Sequence, residues 1–252
     1  MQKIPELVCP AGNLPALKTA VDNGADTVYM GLKDATNARN FPGLNFDMKS
    51  AREGVAYAHV RGRNVLMAIN TFAQAGQVER WHAAVDTAAD LGADAIIVAD
   101  PAIMAYAADK HPNLRLHMSV QGSATNYEAI NMMKELFGIR RAVLPRVLTI
   151  DQVKHVIDNT DVEIEVFGFG SLCVMVEGRC ILSSYATGES PNMQGVCSPA
   201  KSVRWEQLPD RMNVRLNQVL IDQYKPNEPA GYPTLCKGRF EVNDETYYAL
   251  EE

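Results

Sequence analysis

Residues 91–121 read LGADAIIVADPAIMAYAADKHPNLRLHMSVQ, and their order decides the fold. Gly92 ends one helix, Ala93-Asp94 turns the chain, and the apolar run AIIVAD from Ala95 reads as a strand. An amphipathic stretch follows, and RLHMSVQ from Arg115 reads as the next strand. Strand, helix, strand is a βα unit, and its two strands must pair in parallel. Working outward, the same unit recurs. LVCPAG near Leu7, DTVYMG from Asp26, NVLMAIN from Asn64, RAVLPR from Arg141 and EIEVFGFG from Glu163 supply five further strands, with helical stretches between them. Asn23-Gly24-Ala25-Asp26 before the second strand echoes Leu91-Gly92-Ala93-Asp94 before the fourth. The first helix has readable ends, with Asn13 as N-cap, Pro15 in the first turn and Gly24 as the stop. No G-x-G-x-x-G follows the first strand, and only Gly168 and Gly170 leave a late G-x-G fragment. A TIM-like (β/α) barrel is therefore expected over a doubly wound sheet.

The chain has 252 residues, 47% hydrophobic and 21% charged, which suits one barrel of ordinary globular composition. Its net charge of -6 advertises no basic face for a phosphate backbone, so no nucleic-acid partner is expected. No apolar window is long enough to span a membrane, and the prolines of MQKIPELVCPAGNLP interrupt any signal-peptide core, so a cytoplasmic location is expected. After about residue 170 the βα rhythm gives way to Cys, Gly, Ser and Pro. The division expected is a barrel over 1–170 and a cysteine-rich cluster-binding loop segment over 171–252, packed on the barrel. The closing YYALEE reads as helical, and no convincing eighth strand appears, so the barrel is expected to be incomplete.

Side chains alternate along a strand, so His117, Ser119 and Gln121 should face the barrel interior and Leu116, Met118 and Val120 the helices. By the same parity the third strand ends inward at Asn70, the fourth at Asp100 and the sixth at Arg146, while the seventh carries Glu163, Glu165 and Phe167. Polar residues at the C-terminal ends of barrel strands are where such folds contact substrates. Asn70, Gln121, Arg146 and Glu165 are the candidate substrate contacts, with Asp100 in the same ring. The plainer alternative makes Arg146 and Glu165 an ion pair closing the barrel top and gives Gln121 to loop amides.

Of the five cysteines, Cys173, Cys180, Cys197 and Cys236 gather in the C-terminal part, separated by six, sixteen and thirty-eight residues. By number alone four thiolates suit zinc or an iron-sulfur cluster. The absence of paired C-x(2–4)-C knuckles favours a cluster collected from separate loops, and four unrelated buried cysteines are the remaining alternative. Gly178, Gly195 and Gly238 would let backbone N–H groups approach sulfur, and Arg179 and Lys237 would offset its charge. Cys9, beside Val8 in the first strand, reads as a core residue.

The segment EVFGFGSLCVMVEGRCILSS, Glu165 to Ser184, resembles the signature of the collagenase-like peptidase family, Glu-x-Phe-x-x-Gly-Ser-x-Cys followed by Gly-x-Cys and Ser. Glu165, Phe167, Gly170, Ser171, Cys173, Gly178, Cys180 and Ser183 fit it. The opening CPAGNLPALKTAVDNGADTVYMGLKDATNARNF, with SSYATGESPNMQGVCSPA and AGYPTLCKGRF, is most similar to the branch of that family that acts in ubiquinone biosynthesis. The resemblance implies oxygen-independent hydroxylation of a ubiquinone precursor by a heterodimer with a paralogous subunit. It further implies a 4Fe-4S cluster on Cys173, Cys180, Cys197 and Cys236, and prephenate as a candidate oxygen donor. A non-catalytic electron-relay or interface subunit is the alternative, and a peptidase is the one the family name suggests. The sequence has no H-E-x-x-H or G-x-S-x-G, and its histidines, His59, His82, His111, His117 and His155, are scattered. Family members usually continue into a further strand ending in a Lys-Ile-Glu-Gly-Arg-like segment, which this sequence lacks.

Overall fold

The computed structural model describes residues 4–170, 173, 175–197, 199–230, 236, 239–243 and 245–248. Among them, seven strands form one sheet: β1 (Val8–Pro10), β2 (Thr27–Gly31), β3 (Asn64–Ile69), β4 (Ala95–Val98), β5 (Arg115–Met118), β6 (Arg141–Val143) and β7 (Glu163–Glu165). They pair in parallel and in sequence order. Helices α1 (Leu14–Asp22), α2 (Met48–His59), α3 (Glu79–Leu91), α4 (Pro101–Lys110), α5 (Tyr127–Phe137) and α6 (Ile150–Asp158) fill the six crossovers. The sheet curls into a half-barrel, as the βα repeat predicts, and among the described residues no eighth strand joins β1 to β7.

Local chemistry explains why each unit starts and stops where it does. Asn13 Oδ1 accepts from the Ala16 amide at 2.9 Å with Pro15 in the first turn, and capping boxes at Asp47/Ser50 and Thr149/Gln152 open α2 and α6. The internal echo is physical. Gly24 and Gly92 turn the chain at φ 101° and 77°. The aspartates that follow reach back to the preceding strand, Asp26 Oδ2 accepting from the Leu7 amide at 2.9 Å and Asp94 Oδ2 from the Val65 amide at 2.7 Å.

The outer sheet face carries most of the core. Val28, Met30, Val65, Met67, Ile96, Val98, Leu116 and Met118 pack with helix residues such as Leu17, Trp81, Ile103 and Ile130, all buried. Cys9 joins this cluster, as expected for a core cysteine. The inner face is thinner, with Leu66, Ala95 and Ile97 beside Val8 and Tyr29. Near the N-terminal ends of the strands this face is ionic. Arg141 bonds Glu163 Oε2 through Nε at 3.0 Å and Nη2 at 2.9 Å, Glu165 Oε2 at 3.2 Å, and Glu6, whose carboxylate also accepts from Thr27. Glu6 precedes β1 and Arg141 opens β6, so this pair spans the inside of the curl. Arg141 lies in register with the inward residues His117 and Glu163, and so has the opposite parity to Arg146, the residue from which the inward face of this strand is expected.

The C-terminal part is more regular than expected. A short α7 (Leu182–Thr187) precedes an antiparallel meander of β8 (Val203–Gln207), β9 (Met212–Leu216) and β10 (Val219–Tyr224). A hairpin of β11 (Arg239–Val242) and β12 (Glu245–Tyr248) follows. The helical reading of YYALEE is corrected at its first two residues, since Tyr247 and Tyr248 pair with Phe240 and Arg239 in that hairpin. Residues 249–252 of that reading lie outside the described residues, as do Ser171, Lys237 and Gly238.

Candidate metal centre over the barrel mouth

The segment after β7 lies over the C-terminal ends of the strands and is tied there by backbone contacts. Gln121, in the turn after β5, accepts through Oε1 from the Gly178 amide at 3.0 Å. The Phe72 amide, after β3, donates to the Asn192 carbonyl at 2.7 Å, and the Asn40 amide, after β2, to the Gly195 carbonyl at 3.1 Å. Gly178 and Gly195 are both left-handed, at φ 78° and 73°. A Cβ on Gly178 would stand 1.9 Å from the Gln121 carbonyl oxygen, and one on Gly195 2.3 Å from that of Asn37. Only glycine allows these two close approaches. At both glycines the missing Cβ makes room for barrel backbone, and the Gly178 amide is spent on Gln121 Oε1.

Docked in this way, the segment brings Cys173, Cys180, Cys197 and Cys236 around one cavity, together with Arg39, Gln121, Glu177, Gly178 and Ser183. Asn192 clamps Cys180, donating through Nδ2 to its carbonyl at 2.9 Å and accepting through Oδ1 from its amide at 3.3 Å. Ser183 donates to the Cys197 carbonyl at 3.4 Å. Burial pushes the Cys180 thiol pKa up, amide bonds from Leu182 and Ser183 pull it back, and the negative fields of Cys173 and Cys236 raise it again. Cys197 is likewise raised, first by burial, against the lowering effect of Arg39 and with the other three cysteines adding to the rise. For Cys180 and Cys197, positive charge brought beside the sulfur favours the thiolate.

A cation reaches one of these sulfurs from the barrel: Arg39 Nη1 donates to Cys197 Sγ at 3.2 Å. Arg179, expected in that role, is exposed, and Lys237 lies outside the described residues. Arg39 carried no sequence signal, standing in a loop far from the cysteines. Among the described residues, no three His, Cys, Asp or Glu side chains already converge as a single-ion cage. Four cysteines lining one cavity match in number the thiolate set of a zinc ion or of an iron-sulfur cluster.

The candidate substrate ring is only partly assembled. Gln121 is buried and lines the cysteine cavity. Asn70 ends β3 inward, accepting from the Ala38 amide at 2.9 Å and reaching Ser119 Oγ at 3.5 Å. Arg146 stacks on Phe167, 3.5 Å from its ring centroid, and pairs at 2.8 Å with Glu177, a carboxylate buried in the Cys173–Cys180 loop. Arg146 also lines a neighbouring apolar cleft with Leu144, Val153 and Phe169, so the Arg146–Glu177 pair is a wall shared by the two openings. Glu165 turns instead to Arg141 and belongs to the ionic cluster, so the Arg146–Glu165 pair considered from sequence does not form. Burial leads in raising the Glu165 pKa, although Arg141 opposes it. Asp100 is not in the ring: it caps α4 through the Ala102 amide at 2.8 Å and accepts from the Ala73 amide at 2.8 Å. The inward expectation is also out of step with the strand, since Ala95 and Ile97 face inward on β4, and Asp followed by Pro is itself an N-terminal helix signal.

His117 faces inward from β5 as predicted and is 3% exposed. Neither ring nitrogen has a hydrogen-bond partner among the described residues, and burial with Arg141 and Arg115 nearby lowers its pKa to about 4. It is neutral near neutral pH and holds no carboxylate. His59 and His111 do contact carboxylates, Asp94 and Asp86, but they lie toward the N-terminal ends of the strands, opposite the cysteines.

The profile of peptidase family U32 matches residues 12–230. The chain is 35% identical over 204 residues to tRNA hydroxylation protein P1 of Bacillus subtilis, covering 81% of this chain and 47% of that protein. It is also 35% identical over 256 residues to an uncharacterized protease of Methanocaldococcus jannaschii, covering all of this chain and 57% of that one. The chain thus spans about half the length of these curated relatives. A solved U32 peptidase superposes with a TM-score of 0.54 at 17% identity, over 66% of this chain and 70% of its own, a likeness of fold. No helix among the described residues is long and apolar enough to cross a membrane.

Proposed function

The chain belongs to peptidase family U32, and on that premise we propose that it is an iron-sulfur component of an oxygen-independent hydroxylase. The observation that carries this reading is the single cavity at the barrel mouth lined by Cys173, Cys180, Cys197 and Cys236. A 4Fe-4S cluster held there would supply one-electron redox chemistry or polarise an oxygen donor beside the barrel. The relative named for tRNA hydroxylation supports hydroxylation as the reaction class. The finer reading rests on the similarity of Cys9–Phe41 and Ser183–Ala200 to the ubiquinone biosynthesis protein UbiU. It gives an aromatic ubiquinone precursor as substrate and a paralogous UbiV-like subunit as partner.

The chain's own residues bind and orient in this reading. Arg146 spends one nitrogen on Glu177 and one face on Phe167, and its remaining donors can clamp a carboxylate such as that of prephenate. Asn70 and Gln121 act indirectly, by fixing the loops that shape the mouth. The apolar cleft on the other side of Arg146 suits an aromatic or prenyl group.

A specific observation favours a second substrate class, since the Bacillus subtilis relative is named for tRNA. The net charge of -6 weighs against a broad phosphate-binding face. Anoxic incubation of the full chain and its paralogous subunit with prephenate as the oxygen donor and either a prenylated phenol or unmodified tRNA separates the two by mass spectrometry. The expected result is a phenol product heavier by one oxygen atom. An oxidised nucleoside and no phenol product would move the chain to RNA, and neither product would remove the hydroxylase reading.

A further inference from the structure

Arg39 is held in place more completely than a surface loop residue needs to be. Its amide donates to Asn37 Oδ1 at 3.0 Å and its carbonyl accepts from Asn45 Nδ2 at 3.0 Å. The residue before it is tied to Asn70, just after β3, and the residue after it donates to Gly195 in the cysteine segment. Asn37 is itself fixed, because its side chain fills the space over Gly31, where a Cβ would stand 2.1 Å from Nδ2. The loop therefore bridges β2, β3 and the cysteine segment, and its guanidinium is aimed at Cys197 Sγ at 3.2 Å. An arginine guanidinium carries its charge throughout the accessible pH range.

We infer that Arg39 is a positioning residue through which the barrel sets the reduction potential of the cluster, an inference that rests on the cluster reading above. Reduction adds negative charge to the cluster and its thiolates. A fixed cation that donates to a ligand sulfur stabilises the reduced form more than the oxidised one, and so raises the potential. Because Arg39 belongs to the barrel loop and not to the cysteine segment, anything that moves the loop after β2 alters that potential.

The test uses anoxically purified full-length protein, with iron and sulfide measured first and the potential then followed by mediated titration. Arg39→Met keeps the stem and removes the charge. Its reduced-to-oxidised ratio at fixed poise is expected to fall about tenfold, equivalent to about 59 mV for a one-electron couple. Arg39→Lys, which keeps the charge, is expected to recover part of the shift, and Arg179→Met, at an exposed cation beside Cys180, to leave the potential unchanged. Loss of iron from Arg39→Met with retention in Arg39→Lys would also support the inference. Full iron in Arg39→Met at the parent potential would overturn it, as would an equal shift in Arg179→Met or loss of iron from both folded Arg39 variants. Iron and sulfide absent from the parent would overturn the cluster reading and this inference together, whereas an unchanged potential removes the inference alone.

Discussion

A Gly178→Ala variant is expected to lose most of its iron while keeping the far-ultraviolet signature of the barrel. The added methyl would stand 1.9 Å from the Gln121 carbonyl oxygen, a backbone atom fixed by the turn after β5. Relief requires the loop to lift, which breaks the bond from the Gly178 amide to Gln121 Oε1 and pulls the Cys173–Cys180 loop away from its partners. The left-handed conformation adds about 1–2 kcal/mol for any Cβ, and a stranded buried donor about 1–3 kcal/mol more. Gly24→Ala separates the two effects. That residue is also left-handed, at φ 101°, but a Cβ there meets nothing within 4 Å, so the variant should lose a little stability and no iron. Iron per chain and chemical denaturation of both variants check this. Equal iron in the two would mean that the close approach does not hold the centre.

His117 should make the fold sensitive to acid. Its pKa in the folded chain is lowered from 6.5 to about 4, mainly by burial. Above 6.5 the ring is neutral whether the chain is folded or unfolded, and there is no penalty. As pH falls below 6.5 the unfolded chain takes up a proton that the folded chain refuses, so stability is lost progressively down to about 4. The loss amounts to about 3 kcal/mol for this one group. Glu6, lowered by its bonds to Thr27 and Arg141, and Glu163, lowered by its bond to Arg141, both against the opposing effect of burial, lose stability in the same direction at lower pH. Because those carboxylates are common to parent and variant, the difference between the two isolates the histidine. His117→Leu is expected to gain about 3 kcal/mol on the parent between about pH 7 and pH 4, read from denaturant midpoints. A constant difference across that range would mean that the ring is solvated or already charged.

The parallel strands and their helices were legible because most units carry agreeing local signals: apolar strand runs, Asn, Asp or Thr caps, and glycines at turns. The strand face was legible for the same reason at His117 and Asn70, where alternation runs unbroken to the strand end. At Asp100 the inward reading is one residue out of step, because Ala95 and Ile97 are the inward residues of β4 and Asp100 already caps α4. The meander was missed because its turns lack glycine. Asn217 takes the left-handed role at φ 50° between β9 and β10, and Asn243 does so at 52° between β11 and β12, so the alternation in VRWEQ and MNVRL went unread.

The four cysteines of the candidate centre were visible as a set because few residue types are so rarely spent on polar glycine-rich loops. Their surroundings were not visible. Arg39 lies 158 residues from the sulfur it touches, and Glu177 looks in sequence like any exposed loop carboxylate, although it is 2% exposed and paired with Arg146. Contacts of that kind depend on how the segment docks, and the docking is fixed by two glycines whose partners are backbone atoms of distant loops.

The most direct measurement is the iron and acid-labile sulfide content of the protein purified without oxygen, with its visible absorption, beside Cys197→Ala. The account predicts about four irons and four sulfides per chain in the parent, as a 4Fe-4S cluster on four thiolates requires. It also predicts a charge-transfer band that disappears with the metal in the variant. Zinc in the parent, no metal at all, or iron undiminished by loss of Cys197 would contradict it.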